Sequence, residues 1–488
     1  MVMCSVLTFM NMFPSVQADS REKAVGKTYY ISASSGEDSN SGLSESSAWK
    51  SFKNLKDLKL TAGDKVLLKS GDTWLEKFYL KDAVGTKENP IVISSYGEGE
   101  KPKLTLFEDK VPLNTTESLM YIENSAGLEF KNLDIGFCPI GMNLHYDMVT
   151  NMEYVLIENC HFHDIYGFNQ SLGDPMYPHA VSIIVTSRIG VPGDSAPSLV
   201  GLYINKCTTY DAGALFTYGG RIGGTGYNVK DFYVTDCVMR NNAYYGISIC
   251  NITGGYMDNC KIFDCGSRYA PMGSMAIMMS CKDFTVMNSE IAFQQRLEDN
   301  PDGGGIDFEH MTYDVDFINN YIHDNSGVGV MFYSSHGDSS HQNKRLRFLY
   351  NVFENNNRNF YNPGGAELIS LPLYSLVDGA ILNNKYMKSN NMFTMYMDAS
   401  VKLGGNEEYS YDKQGKVWPL LDFDDVRDYV INGKPLPEEN IIAKDNSLSN
   451  DTTNFLIGLL GSFAILTVIA IVISIISAIR RKKANEQL

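Results

Sequence analysis

The chain has 488 residues, with 41 Lys+Arg against 57 Asp+Glu and a net charge of −16 at neutral pH. Such acidity excludes a typical nucleic-acid binder, which needs a basic face for phosphate contacts, and disfavours a strongly anionic substrate more weakly. Apolar residues at 44% and charged residues at 20% exclude global disorder, and 42 Gly with 29 Tyr and 24 Phe lean towards turns and strands.

The first expected element is an export signal over residues 1–18. Met1–Phe13 is apolar, and Val16, Gln17 and Ala18 form a small-residue cleavage pattern before Asp19. The usual basic start is missing, since Asp19 is the first charge.

A repeat then runs through the middle of the chain. The unit is apolar–x–Asn/Asp–Cys/Asn–x–apolar, with variation at the inner positions. It occurs at Phe130–Ile135, Ile157–Phe162, Ile204–Thr209, Val234–Met239, Met257–Ile262, Val286–Ile291, Phe317–Ile322, Phe348–Phe353 and Ile381–Tyr386. Successive units start 23 to 33 residues apart, with one interval of 47. That spacing predicts a solenoid with a loop inserted in one coil. Alternation around an Asn predicts a strand, a tight bend and another strand, because Asn tolerates the left-handed conformation.

Cys160, Cys207, Cys237 and Cys260 share the fourth position of consecutive units. They read as small buried fillers of an internal ladder, with disulfides as the alternative. Cys138, Cys250, Cys265 and Cys281 complete the eight that follow the signal, and no CxxC pair points to a zinc ribbon. A further strand is expected in each coil after a loop: Val181–Val185, Ala214–Thr217, Ile247–Cys250, Ala276–Met279, Ile306–Glu309, Val330–Tyr333 and Leu368–Leu371. Glycines precede several of them, at Gly213, Gly246, Gly305 and Gly329.

Residues 401–454 lack the repeat. Trp418–Val430 is expected to form a short amphipathic cap over the open end of the solenoid, followed by a polar stalk. Residues 455–479 are 25 residues without a charge, enough to cross a bilayer core of ~30 Å as a helix. Arg480, Arg481, Lys482 and Lys483 follow and mark the cytosolic side of residues 480–488. The expected localisation is a single-pass cell-membrane protein with its bulk outside the cell.

These features together resemble the right-handed parallel β-helix superfamily, the pectate-lyase-like fold of polysaccharide lyases and glycoside hydrolases. Tyr29–Leu43 and Ala48–Phe52 resemble the entry segment of such proteins, and Ala62–Trp74 with Asn89–Gly97 resemble their first coils. The resemblance covers about residues 28–400. It implies an all-β parallel solenoid and a poly- or oligosaccharide partner, but no single chemistry, because the fold hosts many activities.

The candidate site lies on one expected strand. Ile306 and Phe308 are expected to point inward, so Asp307 and Glu309 point outward with Cα atoms about 6.6 Å apart. The expected lateral neighbours are Ile277 and Met279 on one side, Met331 and Tyr333 on the other. Two carboxylates among apolar groups tend to be pushed into different protonation states, as a glycosidase needs. The preceding loop, Glu298–Gly305, adds Asp302 as an alternative acid, and its glycines are expected to let backbone approach a ligand. His310, Tyr333, Tyr218, Arg221, His179 and His336 are the expected sugar contacts.

No cofactor is expected, with calcium on Asp299, Asp302, Asp307 and Glu309 as an alternative use of these acids. The leading functional expectation is a glycoside hydrolase. The alternatives are a non-catalytic glycan-binding surface protein and a lyase, the latter demoted because no Lys/Arg cluster lies in the candidate strands.

Overall fold

The computed structural model describes residues 25–112, 115–147, 152–166, 180–187, 199–219, 229–266, 273–277, 281–294, 303–334, 341–358, 366–371, 375–387, 393–410 and 417–436. They belong to a compact unit spanning 1–438. The expected signal at 1–18, stalk and apolar segment 455–479 lie outside the described residues. Among the described residues no helix is long and apolar enough to cross a membrane.

The chain winds as a parallel β-solenoid. Each paired strand lies beside the equivalent strand of the next coil, so sheet neighbours are far apart in sequence. One face is a 15-stranded sheet and the second a 12-stranded sheet. The third divides into a five-stranded sheet, from Phe78–Lys81 to Phe216–Gly219, and a six-stranded sheet, from Ile247–Ile249 to Thr394–Met395.

The register follows the sequence repeat. First positions pair in one column on the 15-stranded sheet: Phe130, Ile157, Ile204, Val234, Met257, Val286, Phe317, Phe348 and Ile381. Sixth positions pair in another column on the 12-stranded sheet, from Ile135 through Ile262 to Tyr386. The first-position residues are fully buried. Burial of each such side chain contributes about 1.5–3 kcal/mol, which makes a one-residue register slip costly.

Between the two columns the chain bends at the third position. Asn132, Asn159, Lys206, Asp236, Asn259, Asn288, Asn319, Tyr350 and Asn383 all adopt the left-handed conformation, with φ between 51° and 57°. The preference of Asn and Asp for this conformation explains most of the column, while Lys206 and Tyr350 show that stacking enforces it on less suited residues.

The fourth positions form the internal ladder, and its chemistry changes along the axis. In the early coils the thiols of Cys160, Cys207, Cys237 and Cys260 donate to the carbonyls of Phe130, Ile157, Ile204 and Val234, at 3.5–3.7 Å. In the later coils Asn320, Asn351 and Asn384 donate through Nδ2 to Val286, Phe317 and Phe348, all at 2.9 Å. The acceptor is always the first-position carbonyl of the preceding coil. The Asn side chains also accept from the backbone of the preceding coil: Asn320 N–H donates to Asn351 Oδ1 at 2.9 Å, and Asn351 N–H to Asn384 Oδ1 at 2.8 Å. The eight cysteines within the described residues are free and buried, so the filler reading holds and the disulfide alternative does not.

Two expectations at the C-terminal end need correction. The solenoid runs past residue 400: Lys402–Gly404 and Glu407–Tyr409 add a final strand to the 15- and 12-stranded sheets, and Asn406 extends the ladder. Gly405 takes the bend there with φ 62°, so the expected Asn/Asp marker is missing from the sequence. The helix Phe423–Asn432 does not cap the open end. Val426 packs against Met287, Ile318, Leu349 and Tyr350 along the corner between the two long sheets. Asn288 and Asn319 donate to the carbonyls of Phe423 and Leu421, and Arg427 reaches Asp258 at 2.7 Å. The apolar stripe follows the bend column, which offers both hydrophobic surface and amide groups.

A second ladder on the opposite corner was not foreseen. Asn325 and Asn356 donate to the carbonyls of Ile291 and Ile322, and Asn356 also donates to Glu367 Oε2 at 2.7 Å. Glu367 is buried, and its Oε1 makes no hydrogen bond among the described residues. Burial pushes its carboxyl up to about 7, Asn356 opposes this, and the charge of Glu354 adds to it.

Replacing Asn351 by Ala strands the Asn320 N–H and the Phe317 carbonyl, and is expected to cost about 2–4 kcal/mol. Asn351→Cys, which restores the early-coil donor, should cost less; denaturant unfolding of both variants checks the order. For Glu367, the folded state binds its proton more tightly than the unfolded chain does. Its stabilising contribution is therefore complete below about pH 4.5 and is lost as pH rises to about 7, a change of up to about 3 kcal/mol. Glu367→Gln should match wild type in melting temperature near pH 4.5 and exceed it at pH 8.

Candidate functional site

The strand Gly304–Phe308 occupies the middle of the six-stranded sheet. Ile306 and Phe308 point into the core as expected. Phe308 stacks on Phe332 at 5.4 Å and meets Phe317 and Phe348 edge-on, which anchors the strand from inside. Asp307 therefore faces outward. It is nonetheless only 1% exposed, whereas Glu309 keeps 15% of its side-chain surface.

The cover over Asp307 comes from neighbouring coils. Its register partners are Ala276 upstream and Met331 downstream. The expected upstream neighbours Ile277 and Met279 are corrected: Ile277 lies opposite Phe308, and residue 279 is outside the described residues. The run Met275–Met279 is apolar throughout, so alternation could not set its register. Further along the same row stand Ser248 upstream and Ile369 and Met395 downstream. Met331, Ile369 and Met395 form an apolar patch with Val328 and Ala366. The carboxyl thus sits where a small-residue row gives way to an apolar one.

Tyr245 was missed by the sequence reading. It is buried two coils upstream, in a cluster with Tyr244, Val181 and Cys250, and Met311 packs against that cluster. Burial first, then Tyr244, then the charges of Asp307 and Glu309 push its hydroxyl well above the ordinary tyrosine range. The charges of both carboxylates therefore act on the phenol. The only sequence signal was the Tyr244–Tyr245–Gly246 run just before a strand.

His310 adjoins the pair, with Nδ1 4.0 Å from Glu309 Oε2 and its ring 5.8 Å from that of His341. Buried Asn343 ties the segment down, since its Oδ1 accepts from Thr312 N–H at 3.2 Å and its Nδ2 donates to the Tyr333 carbonyl at 3.0 Å. Tyr333 follows Phe332 as Glu309 follows Phe308, which puts it beside Glu309 on the next coil.

Tyr218 lies on Phe216–Gly219, the last strand of the five-stranded sheet, and not on the sheet of Asp307. Asp302, Arg221, His179 and His336 lie outside the described residues, as does Asp299 of the calcium alternative. Gly305 has a structural use. A Cβ there would stand 2.7 Å from the Gly329 carbonyl and 2.9 Å from Asn325 Nδ2, so the glycine lets the coil close over the second ladder.

With fold and site in view, the chain can be set beside known proteins. A family model described as right handed beta helix region matches residues 187–370. The lacto-N-biosidase of Bifidobacterium longum subsp. longum is 40% identical over 81 residues, which is 16% of this chain and 5% of that protein. This chain therefore spans only a small part of the curated relative it matches. The native structure of a GH136 lacto-N-biosidase from Eubacterium ramulus superposes with a TM-score of 0.58 at 18% identity, covering 78% of this chain and 68% of that one. Its selenomethionine derivative superposes with a TM-score of 0.55 at 19% identity, covering 79% and 68%. These matches show that the chain has the right-handed parallel β-helix fold.

Proposed function

We propose that this chain is a membrane-anchored extracellular glycoside hydrolase acting on neutral or weakly charged glycans, with Asp307 and Glu309 as its carboxyl pair. One observation carries the reading: Asp307 is enclosed at an outward position of a solenoid face, where side chains are ordinarily solvated, and a second carboxyl lies two residues on. The unequal burial fits a division of labour in which Asp307 brings the proton to the departing oxygen and Glu309 carries the negative charge. Tyr333 and His310 flank the pair, and an aromatic beside polar groups suits a sugar ring. The relatives named lacto-N-biosidases support a carbohydrate substrate and make lacto-N-biosides the first glycans to try.

The anchor rests on residues 455–479 and the basic run Arg480–Lys483, and export on residues 1–18.

Asp307→Asn and Glu309→Gln are each expected to lower hydrolysis of a chromogenic lacto-N-bioside by on the order of a thousandfold, while melting temperature stays within a few degrees. Retained turnover in both variants would sink the assignment. Glycan binding without any product from wild type would point to a binding module. For the anchor, alkaline carbonate washing should leave the full chain in the membrane pellet and release a chain ending at residue 450.

A further inference from the structure

A second cluster of reactive side chains lies on the 12-stranded sheet, not the six-stranded sheet of Asp307. Asp134 and His161 are register partners on Asp134–Cys138 and His161–Ile165, and His163 stands two residues along on the same face. His163 Nε2 is 2.6 Å from Asp134 Oδ1, and His161 Nδ1 is 3.7 Å from Asp134 Oδ2. The two imidazoles stack at 4.9 Å. One donor atom from each residue lies within 4.8 Å of the others. Beneath them Gly136 makes room, since a Cβ there would stand 2.6 Å from the His163 ring.

From this geometry we propose that Asp134, His161 and His163 form a site for a borderline divalent cation such as Zn²⁺, which cross-links two consecutive coils. Two imidazole nitrogens and one carboxylate oxygen on one side of a sheet match the ligand preferences of such ions and leave outer positions for water. The outer shell is also present. His163 Nδ1 is 2.7 Å from Asp164 Oδ2, which fixes the ring with Nε2 towards the cluster, as carboxylates commonly do behind metal-binding histidines.

The fold supplies its own control. At the matching positions five coils later, His323 also lies between two carboxylates, with Nε2 3.1 Å from Glu290 and Nδ1 2.9 Å from Asp324. Phe293 meets His323 edge-on, as Phe137 meets His163. A histidine held by two acids is thus a recurring structural device of this sheet. The second imidazole is what differs: Tyr321 stands where His161 stands, and its hydroxyl donates to Glu354. The proposal therefore depends on His161, whose side chain is 39% exposed.

The test uses the full chain, stripped with a chelator and dialysed against Zn²⁺ at increasing concentration, with bound metal counted by mass spectrometry. About one equivalent should bind saturably. His161→Tyr copies the arrangement at Tyr321 and His323, so it should fold, and it should weaken binding at least tenfold; Asp134→Asn should do the same, and Glu290→Gln should not. A wild type without saturable binding overturns the proposal, as does unchanged binding in His161→Tyr. Should that variant fail to fold, carbethoxylation of His161 in the wild type decides the matter. Zn²⁺ should slow it severalfold, and an equal rate with and without the ion overturns the proposal.

Discussion

The structure depends on one constraint: every coil must turn at the same place, and its turn must satisfy the backbone groups it buries. The ladder at the fourth repeat position meets it. The cysteines and asparagines there donate to the first-position carbonyl of the coil before, whether the donor is a thiol or an amide, while Ser289 donates within its own coil to Met287. A buried carbonyl without a donor costs about 1–3 kcal/mol, so a donor at this position stabilises the stack. The amide adds an acceptor for the backbone N–H of the coil before, which the thiol does not supply as well. Each later coil is therefore tied to the one before it through both ends of the same amide.

This regularity positions the candidate site. With first- and sixth-position columns locked, the third strand of each coil has little freedom in register. Phe308 is pinned among Phe317, Phe332 and Phe348, so Asp307 faces outward at a fixed height. Its register neighbours come from other coils, Ala276 from the one before and Met331 from the next, and its charge acts on Tyr245 two coils upstream. A rigid solenoid can hold a carboxyl in such surroundings because packing in neighbouring coils has already ordered the backbone. The Asp134 cluster uses the same scaffold differently, with its donors brought together by one register pair and one alternation step.

Legibility followed the distance over which each feature is built. The repeat reads locally, and its first, fourth and sixth positions became the columns of the structure. The second ladder did not read, because Asn325 and Asn356 sit among other Asn residues and Glu367 belongs to a different strand segment. The last coil was hidden because Gly405 replaced the expected bend residue, and the helix Phe423–Asn432 went to the side because the bend column offered it amide groups as well as apolar surface.

The sequence by itself determined the solenoid class, the strand–bend–strand unit and the inward faces, because period-two alternation and left-handed bends are properties of short segments. It also singled out Asp307 and Glu309 as outward acids. Only the tertiary structure decided that Asp307 is buried and Glu309 partly open, that Tyr245 joins them, and that Asp134 meets two imidazoles. Burial and proximity between coils depend on side chains tens of residues apart, and a register that apolar runs such as Met275–Met279 cannot encode alone.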